Sequence, residues 1–382
     1  MRDPIAGFGA DVELQTYPPG SIVQTYGAPQ AEYAAIRKAA GMLDANHRGV
    51  LELTGKDRHA FLNNFLTNQL WSKETKQGML PGRGVYAFLL NGKGRVVADM
   101  NVLETGTAVW LETDVRLVGL LRAALEKYVF TEQVKFAVPA LAELQLHGPG
   151  AGALLAQAGA ALPEGQLGST QAHVFDVPVT LFRDDACGVP GYGVLVQVAR
   201  VAELWRKLAD PYEAVTNKRP LRPIGWAMFN ATRIEAGRPL YGIDFTDESL
   251  PAETGAFERA VSVTKGCYLG QEIVARMHAR QQVARLLVGL RVTDGLPTAG
   301  AHVLDAAGAI VGTVTSSTLS PVLGAACLAL ATIKKGFNAP GTHLTVPAEG
   351  SMRAAVVTPL PFLPVAPSAG SAAGPSEAAA PV

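Results

Sequence analysis

The sequence predicts an α+β core followed by a small all-β unit. Three observations carry that expectation. Through the first 280 or so residues, runs with apolar positions at helical spacing alternate irregularly with strand-like runs. Several of those strands sit in hairpins rather than in repeating strand–helix–strand units. After about residue 283 only short alternating strands follow, in LLVGLRV, AIVGTVTSS, ACLALATI and HLTVPA, separated by turn residues. Of the 382 residues 48 % are hydrophobic and only 17 % charged, so both units have the material for a core.

The elements follow in order. Residues 1–28 are punctuated by Pro and Gly and are expected to form an extension with an extended or irregular path. AEYAAIRKAAGMLD, from Ala31, reads as a helix with Gly41 near its end. VLEL, from Val50, is a strand. Asp57 is placed to cap a helix through FLNNFLTNQL, where Phe61, Leu62, Phe65 and Leu66 recur at helical spacing. In VYAFLLNGKGRVVADMNVLE two apolar runs flank Asn91-Gly92, a hairpin signal because both residues tolerate positive φ. TAVWLET adds a strand, and Asp114 opens the amphipathic helix VRLVGLLRAALEKYVF. A second cycle repeats the scheme: strand LAELQLHGP, helix GAGALLAQAGAAL, a strand pair in VTLFRDDACGVPGYGVLVQV, helix VAELWRKLAD. The core is expected over 29–282 and the all-β unit over 283–363. From Pro364 small residues and proline dominate, and 364–382 are expected to be a disordered tail.

Bulk properties exclude several function classes. Lys plus Arg and Asp plus Glu number 33 each, for zero net charge, which argues against a generic polyanion binder and leads us to expect no direct nucleic-acid contact. The N-terminal stretch lacks a basic region followed by an apolar one, and no apolar run approaches the roughly 20 residues that span a bilayer. A soluble cytoplasmic protein without a membrane partner is the expectation. The three cysteines, Cys187, Cys267 and Cys327, are scattered and form no CxxC, which argues against a disulfide framework, a zinc site or an iron–sulfur cluster held by one chain. No GxGxxG opens a helix after a strand, no GxxxxGK[ST] is present, no GxSxG occurs, and the seven histidines show no i,i+4 pair. No metal site is expected.

Three stretches carry residues with chemical potential. KGCYLGQE, from Lys265, puts a thiol two residues after a lysine and just before GQEIVARMHA, which opens like a helix with Gly270 near the cap. A nearby cation and a helix N-terminus both favour the thiolate of Cys267; the alternative is a small buried residue, as free cysteines usually are. Asp99, in VVADMNVLE, puts a carboxylate among apolar strand residues. It either faces outward by period-2 alternation or needs a partner, such as the N–H groups of a heteroaromatic ring or a proton. RIEAGRPLYGIDFTDESLPAETG, from Arg233, runs from a helix end with Gly237 as C-cap into a polar loop carrying Arg233, Glu235, Arg238, Tyr241 and Asp244. It is either a site wall or a solvated loop.

Together these stretches resemble a known family. RIEAGRPLYGIDF and AIVGTVTSSTLSPVLGAACLALATI are similar to signatures of the glycine-cleavage T-protein (aminomethyltransferase) superfamily, and KGCYLGQEIVAR resembles the K-G-C-Y-x-G-Q-E hallmark of its YgfZ branch. The resemblance covers about residues 30–362. It implies a fold of two intertwined α/β subdomains around a central channel, closed by a C-terminal β-barrel. It implies tetrahydrofolate, or a one-carbon-substituted folate, as cofactor. It also implies an accessory role in maturation or repair of iron–sulfur enzymes, including a radical enzyme that thiomethylates tRNA, with iron–sulfur client or assembly proteins as partners. Within that reading Cys267 and Lys265 are the reactive pair, and Asp99, Arg233, Glu235, Tyr241 and Gln271 are the expected folate-binding residues. A folate-dependent aminomethyl or methyl transferase using Asp99, and a thiol redox sensor using Cys267, are the alternatives. The chain departs from the T-protein pattern twice. It has Ala98-Asp99 where two consecutive acids are usual, and GVPGYG, 188–193, where a Gly-Glu-Asp-Gly-type loop touches the pterin.

Overall fold

Two antiparallel-rich sheets lie face to face, with helices on their outer sides and a barrel docked at one end. The computed structural model describes residues 1–5, 11–209, 221–280 and 283–364. The first sheet has the order Lys135–Ala137, Arg48–Thr54, Val109–Asp114, Val96–Glu104, Gly84–Leu90, antiparallel throughout. The second has the order Ser169–Val174, Val177–Arg183, Gly191–Gln197, Leu141–His147, Ala40–Asp44, Leu221–Ile224. Its last pair is parallel and the others antiparallel. The halves are intertwined because Ala40–Asp44 joins the second sheet while the next strand, Arg48–Thr54, joins the first.

Period-2 alternation decides which side chains meet between the sheets. Leu51, Leu53, Ala98, Met100 and Leu111 turn outward, under the helices Arg58–Asn63 and Val118–Glu126. Leu144, Leu146, Leu181 and Val194 turn outward on the other sheet, under Ala151–Gln157 and Val198–Ala209. Each such leucine contributes roughly 1.5–3 kcal/mol by leaving water. The opposite parity faces inward. Val50, Tyr86, Phe88, Phe182 and Leu195 fill part of the inner layer, while Asp99, Asn101, Glu112, Glu143, Gln145 and His147 occupy the rest. The chain thus spends its strand polarity between the sheets rather than on the solvent side.

The barrel closes in the order Arg285–Val292, Ala326–Lys334, Ile310–Ser320, His302–Leu304, His343–Ala348, Ser351–Thr358. Leu290, Val303, Val314, Ile333, Val346 and Val357 fill it. The helix Trp226–Glu235 joins core to barrel, with Ile234 packing on Leu287, Leu328 and Leu330. Buried polar contacts cross the same junction. Asp244 accepts bonds from Thr315, at 2.7 Å, and from Ser316, and Glu235 accepts one from Ser320.

Several elements differ from the expectation. The helix at the start of the core is Pro29–Lys38; AGMLD, from Ala40, is a central strand. Tertiary context overrides helix propensity here: a Cβ on Gly41 would lie 2.8 Å from Ile224 Cγ2 across the sheet. The helix after Asp57 stops at Asn63, whose side-chain oxygen takes the N–H groups of Leu70 and Trp71 and turns the chain. Asp57 does not cap it and accepts instead from Gln133 N at 2.8 Å. The Asn91 hairpin forms, but through Asn91 Oδ1 bonds to Lys93 N and Arg95 N, with Gly94 rather than Gly92 at positive φ. Ser169–Val174 is a strand that the sequence did not announce. Of the extended and irregular paths expected for the N-terminal extension, residues 13–25 take the extended one: Glu13–Tyr17 and Gly20–Thr25 form a hairpin with Ile22 and Val23 buried, and Arg2 pairs with Asp44. The expected disordered tail falls, beyond Pro364, outside the described residues.

Candidate functional site

The inward-facing polar residues surround a cleft between the sheets. Its empty space is about 900 Å³, measured to its open mouth. Both sheets contribute walls, as do the N-terminal hairpin through Tyr17 and the loop after Glu235 through Arg238, Leu240 and Tyr241. One wall is aromatic: His47 meets Trp226 edge-on at 5.1 Å between centroids, and Trp226 meets Phe229 at 5.5 Å. Burial lowers His47 to about 3 and His147 to about 4, so both rings are neutral near pH 7.

Asp99 stands in this wall because its parity in Val96–Glu104 is opposite to that of Ala98 and Met100. Tyr86 OH donates to its Oδ2 at 2.8 Å. No donor among the described residues reaches Oδ1. Burial pushes the Asp99 carboxyl above the usual carboxylate range, the nearby Arg48 charge opposing that rise. An underused carboxylate of raised pKa, walled by aromatic rings, is suited to take a proton from a ring N–H or to hold one.

A second carboxyl group of the cleft is more heavily engaged. Glu112 pairs with Arg48 and accepts from Asn101 Nδ2 at 2.8 Å. Behind it, Glu143 accepts from Gln145 Nε2 at 2.6 Å. Burial first and the Glu112 charge second push Glu143 well above the carboxylate range. His147 Nε2 donates to Gln145 Oε1 at 3.1 Å, which leaves its Nδ1 buried without a partner among the described residues. Sequence reasoning missed this strip. The signal was available, since Glu143, Gln145 and His147 alternate with Leu144 and Leu146, placing three polar side chains on one face of a strand that is buried on both.

The expected folate-binding residues separate. Arg233 and Tyr241 line the cleft with Asp99; Glu235 and Gln271 do not. Arg233 is fully buried, pairs with Asp244 and donates from Nε to Asn230 Oδ1 at 2.9 Å, leaving Nη2 unpartnered. Tyr241 OH donates to Val97 O at 3.0 Å. Glu235 faces away, bonded by Arg37, Ser320 and, at 2.7 Å, Tyr33 OH.

KGCYLGQE lies outside the cleft. Cys267 is exposed, whereas Cys187 and Cys327 are buried; burial pushes the Cys187 thiol up to about 12. Lys265 does not face the thiol. Its Nζ donates to the carbonyls of Asn63, Leu66 and Asn68, pinning the loop to the end of the helix Arg58–Asn63. Burial lowers Lys265 to about 7, and three carbonyl acceptors oppose that by favouring the ammonium. Gln271 begins the helix Gln271–Arg280 and folds back, its Oε1 accepting from Tyr268 N at 3.0 Å. Gly270, at φ +83°, lets the loop close on the Asn91 hairpin: a Cβ there would lie 2.6 Å from Asn91 O. The loop is therefore fastened beside the outer tip of the hairpin whose second strand carries Asp99. Among the described residues no group of three or more His, Cys, Asp or Glu is placed to hold a metal ion, and no helix is long and apolar enough to cross a membrane.

A facing two-sheet core that encloses a polar cleft and carries a C-terminal barrel defines a recognisable architecture, and comparison with known proteins identifies it. Residues 15–265 match the GCVT N-terminal domain, and residues 285–363 match the glycine cleavage T-protein C-terminal barrel domain. The chain belongs to the glycine-cleavage T-protein family. An aminomethyltransferase of Nostoc sp. is 31 % identical over 343 residues, 87 % of this chain and 86 % of that protein. One of Thermus thermophilus is also 31 % identical over 343 residues, 87 % of this chain and 90 % of that protein. In fold, the chain is similar to the glycine cleavage system aminomethyltransferase T of Bartonella henselae, with a TM-score of 0.82 at 23 % identity over 93 % of this chain and 95 % of that one. These matches reach the superfamily and not the YgfZ branch within it.

Proposed function

We propose that the cleft binds a reduced folate and that the chain is a folate-dependent one-carbon transferase of the aminomethyltransferase kind. The observation that carries this reading is Asp99: buried, raised in pKa by that burial, held through one oxygen by Tyr86 and open through the other. A reduced pterin is a flat heteroaromatic ring edged with N–H groups. The Trp226–Phe229 wall offers it an apolar face, and Asp99 offers an acceptor for an N–H and for the proton displaced when a ring nitrogen takes up carbon. The aminomethyltransferase names of the relatives support the same reading. The test is turnover with tetrahydrofolate and an aminomethyl donor, such as an aminomethylated dihydrolipoyl group. Wild type is expected to turn over and Asp99→Asn to lose at least about a hundredfold, the usual reach of a general base. No turnover across aminomethyl and methylamine donors contradicts the proposal.

A second reading rests on a different observation. Cys267 is the exposed cysteine, on a mount that Lys265 fixes outside the cleft, and its motif resembles the hallmark of proteins that support iron–sulfur enzymes. In that reading folate binds without turnover, and the thiol forms a mixed disulfide or a ligand shared with an iron–sulfur client. It requires that Cys267→Ala bind folate normally yet fail to restore iron–sulfur enzyme activity, including tRNA thiomethylation, in a strain lacking the protein. Full restoration by that variant eliminates it.

A further inference from the structure

Four arginines line the cleft, and three of them have a carboxylate: Arg48 has Glu112, Arg233 has Asp244 and Arg238 has Asp184. Arg259 has none. It leaves the short helix Phe257–Ala260 and lays its guanidinium over the Tyr86 ring, 3.9 Å from the centroid. The guanidinium donates to no acceptor among the described residues. The acids facing it are held by other donors, Asp99 by Tyr86 and Asp184 by Arg238 and Gln166. A partly buried guanidinium that lines a cavity without an acid partner keeps its N–H donors free for an anionic ligand.

Its position says where that ligand lies. Arg259, Arg238 and Pro239 line both the cleft and a second cavity, of about 1510 Å³ measured to its open mouth, between the core and the barrel. The second cavity is walled by Phe257, Met277, His278 and Leu286. Phe257 and His278 stack at 5.5 Å with 13° between their planes. A long ligand with its ring beside Asp99 reaches this cavity by passing the two guanidiniums.

We propose that Arg259, with Arg238 lining the same passage, holds the carboxylate of a ligand arm that leaves the cleft for the second cavity. This rests on the folate reading, in which the arm is an aryl amide ending in a glutamyl group. Guanidinium–carboxylate geometry accommodates the bidentate pair that Arg259 lacks among the described residues. The assignment is specific to the arm: it predicts that the contribution of Arg259 to affinity runs through the glutamyl carboxylates and leaves the ring's own binding unchanged.

Calorimetry on the full chain tests it with tetrahydrofolate, tetrahydropteroate, which lacks the glutamate, and 6-methyltetrahydropterin, which lacks the whole arm. Arg259→Met is expected to weaken tetrahydrofolate about ten- to a hundredfold, the range of one charge-assisted hydrogen bond, and to leave 6-methyltetrahydropterin unchanged within about twofold. Arg259→Lys is expected to fall between. Wild type is expected to prefer tetrahydrofolate to tetrahydropteroate by a similar factor, a comparison that needs no variant to fold. Equal losses for all three ligands in Arg259→Met, or no preference of wild type for the glutamate, overturns the passage assignment while the folate reading stands. Failure of wild type to bind any of the three overturns both.

Discussion

Two sets of buried charge in this chain look alike in sequence and differ in what they leave open. At the core–barrel junction every carboxylate oxygen is taken. Glu235 receives Arg37, Tyr33 and Ser320, and Asp244 receives Arg233, Leu240 N, Thr315 and Ser316. Among the described residues of the cleft, Asp99 receives one donor, His147 Nδ1 and Arg233 Nη2 have no partner, and Arg259 has no acid. The junction carboxylates are saturated and tie core to barrel, whereas in the cleft a carboxylate oxygen and a guanidinium remain open to a ligand. Arg233 belongs to both sets, so its loss should affect both stability and binding.

The largest expected effect breaks the weld. Glu235→Ala should cost about 3–5 kcal/mol in denaturant unfolding, because it leaves Arg37 buried without its partner. Asp99→Asn should leave stability unchanged or higher while abolishing turnover; if it destabilised as Glu235→Ala does, the contrast between the two sets would fail. The pH dependence sharpens the point. The folded state holds the Glu143 proton more tightly than the unfolded chain does, so unfolding releases a proton. Wild-type stability relative to Glu143→Gln should therefore fall as pH rises from the ordinary carboxylate range toward the raised folded value, then level off. A difference that grows with pH would mean Glu143 is ionised in the fold. Lys265→Met should cost about 2 kcal/mol in denaturant unfolding by removing a charged donor from three carbonyls. A loss within about 0.5 kcal/mol would mean that the three bonds do not hold the loop. The smallest effect is expected for Cys267→Ser, within about 0.5 kcal/mol at an exposed site.

The sequence allowed the barrel and the hairpin around Asn91 to be read, because alternation and turn residues are local signals; for Asp99 alternation alone left an outward-facing residue and a partnered one as alternatives. It did not allow Glu235 to be told from Asp99. Whether a carboxylate is saturated depends on partners such as Ser320 and Tyr33, 85 and 202 residues away, and no local pattern carries that. Nor could the partners of Lys265 be read locally: two residues from a thiol in sequence, its ammonium donates to a helix end about 200 positions earlier. Arg259 carried no motif at all; its interest arises only from the absence of a partner, visible once the cleft is assembled. Glu143, Gln145 and His147 were legible in principle, as a polar row in a strand otherwise buried on both faces.

The central claim is that the cleft is a folate site built on Asp99 and independent of the outer thiol. Calorimetric titration of tetrahydrofolate into wild type, Asp99→Ala and Cys267→Ala tests it most directly. The account predicts that wild type and the cysteine variant bind alike and that the aspartate variant does not bind. Binding by Asp99→Ala at wild-type affinity, or no binding by wild type, would contradict it.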